Sequence, residues 1–155
     1  MKSPILFGLT FAIAASVAVA QDTPAVVPDP AIETMTVEQL VKARQDAMRQ
    51  NGQTLRTVGG LTGEDAVAAA TTLLQNFVNF PSLFREGSIT PDSRALPAAW
   101  ENWEDFRSRF DHDAELATAM LAAAQSGDTA AYTAAVEEIG KSCGACHQLY
   151  RAEEE

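Results

Sequence analysis

The residues in this chain whose types and spacing point most directly to chemistry are two cysteines and a histidine near the carboxyl end. Cys143, Cys146 and His147 stand in "SCGACHQLY", and the chain has no other cysteine. On a helix, thiols three positions apart lie about one turn apart, so both can form thioether bonds to the vinyl groups on one edge of a porphyrin. The imidazole after the second thiol can then reach the iron. This C-x-x-C-H spacing predicts covalent attachment of one c-type haem, with His147 as the axial ligand.

Three other uses of the two cysteines compete with haem attachment. A zinc site needs four ligands, and the fourth would have to be His112 in the acidic stretch "RFDHDAEL". A thioredoxin-like dithiol would lie at the start of a helix that follows a strand. A disulfide is common in exported proteins, but a bridge between positions 143 and 146 would strain a regular helix.

The other side of a haem iron would face a second helix, and the first helical segment offers candidates. Leu40, Arg44 and Met48 recur every four residues and share one helix face. Met48 could bind the iron through its thioether, or it could be an ordinary core residue. Arg44 beside an apolar stripe needs an anionic partner, which a haem propionate or an acidic neighbour could supply.

The first two of four amphipathic helical segments precede a long connection. The first segment begins at Thr36, where Gln39 completes a capping box, and it ends at the Gly-Gly pair 59–60. The second begins after Thr62 and ends at Pro81.

The last two segments follow the connection, which covers 81–96. The third begins at Pro97 and ends at Gly127, and Asp128 or Thr129 caps the fourth. The aromatic residues of the third segment are predicted to be core residues, some of which could line a porphyrin: Trp100, Trp103, Phe106 and Phe110. Two short connections and one long one predict an all-α fold, an antiparallel up-down-up-down four-helix bundle.

The first 35 residues carry signals for export. Lys2, the apolar run after it and the A-x-A pattern at 18–20 predict a signal peptide over 1–20. Residues 21–35 contain three prolines and no sustained period, so we expect a flexible leader before a domain over 36–152. These signals predict a periplasmic protein with no membrane span after cleavage.

The charge of the chain is strongly acidic. Without Lys2, ten basic residues stand against 21 acidic ones, so the formal charge of residues 21–155 is −11. Such a surface repels nucleic-acid phosphates, so we expect no nucleic-acid partner. It predicts instead a transient encounter with a redox partner protein that has a basic docking surface. The sequence shows no carboxylate–histidine or Ser–His arrangement for substrate turnover, and we do not expect an enzyme.

The haem motif at the carboxyl end, preceded by four helices, resembles the class II cytochromes c. That group comprises cytochrome c′ and its low-spin, methionine-ligated relatives. The resemblance extends from about Thr36 to Arg151 and rests on "ARQDAMRQNG", "LPAAWENWEDF" and "IGKSCGACHQLYR". It implies a four-helix bundle with thioethers at Cys143 and Cys146 and an axial ligand at His147.

The resemblance also implies roles for residues outside that motif. It places Arg44 and Gln45 at the haem propionates, Thr90 at a further haem contact and Met48 at the distal position. If Met48 binds the iron, the protein is a one-electron carrier, which is the expectation we favour. If Met48 only covers a five-coordinate iron, the protein binds nitric oxide or carbon monoxide. Relatives often form homodimers through their first two helices, and the Ala-rich second helix is compatible with such a dimer.

Overall fold

The structure is a computed structural model that describes residues 25–153, and its regular elements are helices. In chain order they are α1 (Val37–Thr57), α2 (Gly63–Leu83), the single-turn α3 (Ala98–Glu101), α4 (Trp103–Ser126) and α5 (Thr129–Tyr150). Two short 3-10 helices, Pro30–Thr34 and Val58–Gly60, flank α1. Within 25–153 the only extended pairing is an isolated antiparallel bridge between Ala95 and Arg151. The all-α four-helix bundle is therefore confirmed, with α1, α2, α4 and α5 as its helices.

Local hydrogen bonds explain several helix boundaries that the sequence predicts. The Thr36 hydroxyl accepts from the Gln39 amide at 3.3 Å, and the Gln39 side chain accepts from the Thr36 amide at 2.8 Å. The Asp128 carboxylate accepts from the Ala131 amide at 3.0 Å and caps α5. Gly127, with φ of 74°, ends α4 in the left-handed conformation. The capping box at the start of α1 and the turn between α4 and α5 are confirmed.

The predicted end of the second helix at Pro81 is wrong. α2 continues through Pro81 to Leu83, and the Phe84 amide still donates to the Phe80 carbonyl at 3.2 Å. Proline removes only its own amide donor, and close to a helix end this loss affects a single hydrogen bond. Burial of Leu83 and Phe84 in the core favours the extra turn.

The third predicted helix is divided in two. Asn102, with φ of −113° and ψ of 45°, separates α3 from α4. The Trp100 indole donates to the Phe84 carbonyl at 2.9 Å, which fixes α3 against the end of α2. Because this contact joins residues that are distant in sequence, helical periodicity does not reveal the break.

The core lies mainly between α2, α4 and α5. Rings from the end of α2, from Phe84 directly after it and from α4 pack closely: the centroids of Phe80 and Phe110 are 5.0 Å apart, and those of Phe84 and Phe106 are 4.8 Å apart. Tyr150 of α5 joins this cluster at 4.8 Å from Phe106. By contrast, α1 packs chiefly on α2 and has little direct backbone contact with α4 or α5. This packing leaves a groove between α1 and α5.

Part of the segment predicted as a flexible leader lies against α2. The Asp29 amide donates to the Asn79 side chain at 2.9 Å, and the Gln75 side chain donates to the Val27 carbonyl at 3.0 Å. Ile32, in the first 3-10 helix, is only 4% exposed. The predicted signal peptide over 1–20 and the first residues of the leader lie outside the described residues. Within 25–153, no helix has both the length and the apolar character needed to cross a bilayer.

Candidate haem site

A cavity of about 720 Å³ lies between α1 and α5, and residues from α4 and from the connection after α2 also line it. This volume is within the range of ligand pockets in proteins. Met48 of α1 lines one side, and Cys146 and His147 of α5 line another. Its aromatic lining residues are Phe84, Phe106, Phe110 and Tyr150. The structure thus brings the two predicted iron ligands, His147 and Met48, to the same cavity from different helices.

The two cysteines are free and lie one turn apart late in α5. Cys146 is buried and lines the cavity, whereas Cys143 is partly buried beside the core. Burial raises the pKa of the Cys143 thiol to about 12, with the Asp113 carboxylate adding to the effect. Burial likewise raises the pKa of Cys146 to about 11. Reactive dithiols have lowered pKa values and follow a strand, so neither property of a thioredoxin-like pair is present.

The environment of His147 favours the form of imidazole that binds metals. Burial lowers the pKa of His147, and the positive charges of Arg151 and Arg94 lower it further. At neutral pH the ring is therefore neutral and keeps a lone pair for iron. The other histidine, His112, is exposed on α4, and no group of three or more His, Cys, Asp or Glu within 25–153 could hold a metal ion. The zinc alternative, which needs His112, is not formed in that part of the chain.

Arg44 is buried at the cavity and forms no ion pair with any acidic residue in the part of the chain that the structure describes. Its guanidinium donates to the Ser88 hydroxyl and carbonyl at 2.8 and 2.7 Å, and to the Ser93 hydroxyl at 2.8 Å. It also donates to the Leu83 carbonyl at 3.2 Å and lies 4.6 Å from the centre of the Phe84 ring. Burial lowers the pKa of Arg44 to about 10, so the group stays charged at neutral pH. A buried cation with only neutral partners fits the neighbourhood of a haem propionate.

The two remaining predicted contacts differ in position. Gln45 lines the cavity, and its side-chain amide donates to the Asp92 carbonyl at 2.7 Å. Thr90 is partly buried in the connection but is not among the cavity-lining residues. The connection contributes Arg94 and Ala95 instead. A haem contact for Thr90 therefore stays a prediction that this geometry does not support.

The end of α5 is fixed to the connection by backbone pairing that the sequence did not indicate. The Leu96 amide donates to the Tyr150 carbonyl at 2.9 Å, and the Ala152 amide donates to the Arg94 carbonyl at 2.8 Å. These bonds place Arg94 at the cavity next to the helix that carries the haem motif. Since they join segments more than 50 residues apart, no local pattern could have found them.

Other cavity residues were missed although the sequence contains a signal for them. The four-residue period of Arg44 and Met48 continues to Gly52 and Arg56, and all four line the cavity. Phe84 follows Phe77 and Phe80 at helical spacing, but the prediction that Pro81 ended the helix hid this pattern. Carrying both periods further would have identified the α1 wall and one aromatic wall.

The residues at the cavity fit a covalently attached haem. The space is of suitable volume, its walls are largely apolar, and a neutral imidazole and a thioether line it. Cys143 and Cys146 would hold the porphyrin by thioether bonds, and His147 would bind its iron. Such a group supplies a one-electron couple whose potential depends on the axial ligands and on burial.

Comparisons with known proteins agree with this site. A sequence profile described as "Cytochrome C'" matches residues 39–151. Cytochrome c-556 of Agrobacterium tumefaciens (strain II Chrys) is 38% identical over 121 residues, which cover 72% of this chain and 95% of that protein. Cytochrome c-554 of Cereibacter sphaeroides is 33% identical over 155 residues, which cover 92% of this chain and 93% of that protein. The crystal structure of cytochrome c′ from Thermochromatium tepidum matches with a TM-score of 0.70 and 25% identity, over 77% of this chain and 99% of that chain. This chain therefore belongs to the cytochrome c′ family, whose members are monohaem c-type cytochromes.

Proposed function

We propose that the chain is a periplasmic one-electron carrier in which His147 and Met48 are the two axial ligands of the haem iron. The observation that carries this proposal is the position of Met48, which lines the cavity from α1 while His147 lines it from α5. A low-spin iron with two protein ligands exchanges electrons with little structural change. That property suits a carrier rather than an enzyme or a gas-binding protein.

Other cavity residues are poorly placed to be the second axial ligand. The Cys146 sulfur would already be bonded to the edge of the porphyrin through its thioether. The Tyr150 hydroxyl donates to the Asp105 carboxylate, an interaction that raises the pKa of Tyr150 and so disfavours the phenolate that binds iron. Met48 is the remaining soft donor in the lining.

The surrounding side chains would raise the reduction potential of the site. Methionine as second axial ligand favours the ferrous state. The buried positive charge of Arg44 favours the state with one more electron, because the apolar walls screen its field less than water would. Phe84, Phe106 and Phe110 exclude water from one side of the cavity.

The protein's surroundings are part of the same proposal. Cleavage of residues 1–20 would release the chain into the periplasm, where a redox partner protein would dock transiently. A homodimer through α1 and α2 is a further expectation. The segment 25–35 already lies against α2 at Gln75 and Asn79, so a second copy would have to use the rest of that face.

Replacing Met48 with alanine tests the second ligand. We expect the visible spectrum of the reduced wild-type holoprotein to be low-spin and insensitive to carbon monoxide, and that of Met48→Ala to be high-spin and to shift when carbon monoxide is added. Met120→Leu is a matched control, because Met120 is fully buried in α4 and does not line the cavity. Its spectrum should be that of the wild type.

The alternative function makes the opposite prediction for the wild-type protein. If Met48 only covers a five-coordinate iron, the unmodified protein is high-spin and binds carbon monoxide or nitric oxide without any substitution. That result would reject the Met48 ligand and assign gas binding to the same cavity.

A further inference from the structure

Basic residues are concentrated at the haem cavity to a degree that the composition does not suggest. Five arginines line it: Arg44, Arg49, Arg56, Arg94 and Arg151. None of the lining residues is Asp or Glu, although the chain has 21 acidic residues and only 11 basic ones. Nearly half of the positive charge of an acidic protein thus lies at one site.

Four of these arginines surround the solvent-facing part of the cavity, and we call Arg49, Arg56, Arg94 and Arg151 the arginine rim. Arg49, Arg56 and Arg151 are exposed, and Arg94 is partly exposed. Arg49 forms an ion pair with Asp46, and Arg94 donates to the Ala152 carbonyl at 2.6 Å. Arg56 and Arg151 form no ion pair with any described residue.

The haem itself cannot neutralise this cluster. A haem has two propionate groups, so it offsets at most two of the five guanidinium charges, and buried Arg44 is the best placed of the five to take one. Exposed positive charge therefore persists at the edge of the cavity in the loaded protein. Of the 21 acidic residues, none that the structure describes lines the cavity, and Asp46 is the one described acidic residue that pairs with a rim arginine.

The charge close to the cavity, more than the net charge of the chain, determines which protein surface can dock there. The Debye length at physiological ionic strength is about 8 Å, so charges within roughly that distance of a docked surface outweigh those on the far side of the bundle. The net charge predicts a basic docking partner. The positive charge around the cavity, from which an electron must leave, predicts an acidic docking partner instead.

We propose that the arginine rim is the docking surface for the redox partner and that it fits an acidic face on that protein. This inference rests on the proposed function as an electron carrier. The acidic remainder of the surface would repel the same partner. The rim therefore also orients the two proteins, so that the haem cavity faces the partner.

The salt dependence of electron transfer to small charged oxidants tests the sign of the docking surface. Reduced holoprotein passes one electron to ferricyanide, which becomes ferrocyanide as the haem becomes ferric. Measured by stopped flow, this rate should fall severalfold between 10 mM and 300 mM ionic strength, although protein and reagent both have net negative charge. The rate with the cationic tris(phenanthroline)cobalt(III) should not fall. A ferricyanide rate that rises with salt would overturn the proposal.

Single substitutions test whether the rim itself is responsible. Arg56→Gln and Arg151→Gln should each slow the ferricyanide reaction at low salt about two- to fivefold, with little effect at high salt. Arg107→Gln removes the same charge from α4, where the exposed Arg107 is paired with Asp111 away from the cavity, and should change the rate little. Equal effects of all three substitutions would mean that net charge alone acts, which contradicts a docking surface. Reduction potentials of the variants, measured in parallel, correct for changes in driving force.

An acidic polypeptide tests whether the rim accepts a protein and not only a small anion. Polyglutamate at low salt should slow the ferricyanide reaction of the wild type and leave that of the Arg56→Gln, Arg151→Gln double variant unchanged. No slowing of the wild type would show a small-anion site and overturn the proposal. If the loaded protein reacts with neither oxidant, the electron-carrier function fails, which is distinct from a reaction with the wrong salt dependence.

Discussion

Two charged side chains are buried among the described residues, Arg44 at the cavity and Asp113 away from its lining, and they have different consequences. Arg44 is 4% exposed and makes four hydrogen bonds to the end of α2 and the connection, so it shapes the cavity as well as supplying positive charge. Asp113 of α4 is equally buried, but its Oδ1 atom has no hydrogen-bond partner among the described residues. A buried carboxylate with one unpaired oxygen costs stability when it is ionised, so Asp113 is an unfavourable element of the fold.

The cost of Asp113 should depend on pH. Burial raises the pKa of Asp113 above its ordinary value, and this effect outweighs a hydrogen bond from Ser142 and the nearby charges of His112 and Arg109. Well below pH 4, the carboxyl group holds its proton in both folded and unfolded chains. As the pH rises, the unfolded chain releases the proton first, so ionisation favours unfolding at neutral pH.

Asp113→Asn removes this charge, so its advantage over the wild type should grow with pH. Urea denaturation of both holoproteins gives the difference in the free energy of unfolding between Asp113→Asn and the wild type. We expect this difference to rise by on the order of 1 kcal/mol between pH 4 and pH 7.5. Asp111→Asn is the matched control, because Asp111 is exposed and lies 3.3 Å from Arg107. That change should cost less than about 0.5 kcal/mol. A difference that is constant or shrinks as the pH rises would contradict this account of Asp113.

At the scale of elements, helix ends set by local hydrogen bonds could be predicted from the sequence, and those set by distant contacts could not. The capping box at Thr36 and the Asp128 cap involve residues three apart, and both are present. The break at Asn102 depends on Trp100 reaching back to α2, and the position of Arg94 depends on pairing with the end of α5. The haem motif was identifiable because its chemistry is local, whereas the arginine rim gathers residues from α1, the connection and the carboxyl end.

The turn between α4 and α5 allows a direct test of backbone conformation. Gly127 has φ of 74°, and a Cβ atom there would meet no heavy atom within 4 Å, so any cost of Gly127→Ala comes from the backbone. We expect a loss of about 1–2 kcal/mol in the free energy of unfolding. Gly140 lies within α5, is exposed and also has open space, so Gly140→Ala should add up to about 1 kcal/mol. Urea denaturation of both variants measures the difference, and the same sign for both substitutions would contradict the assigned conformations.

For the whole molecule, the main consequence of the packing is that the bundle is incomplete without its cofactor. α2, α4 and α5 share the aromatic core, whereas α1 has little backbone contact with α4 or α5 and faces them across the cavity. A haem attached to α5 and bound through Met48 would join α1 to the opposite side of the bundle. Because a ligand stabilises only the states that bind it, the stability of α1 should depend more on haem than that of α4.

Hydrogen exchange of the protein with and without covalent haem measures this difference helix by helix. A Cys143→Ser, Cys146→Ser double variant cannot form the thioether bonds, and we expect amides of α1 to exchange faster in it than amides of α4, which keep their core contacts. In the wild-type holoprotein, protection should increase most in α1 and in the last turns of α5. Met48→Ala in the haem-loaded protein separates filling of the cavity from ligation, since it should reduce the protection of α1 while α5 stays covalently attached. Equal loss of protection in α1 and α4 of the double variant would mean that the bundle opens as one unit, and that α1 does not depend on the haem more than its neighbours do.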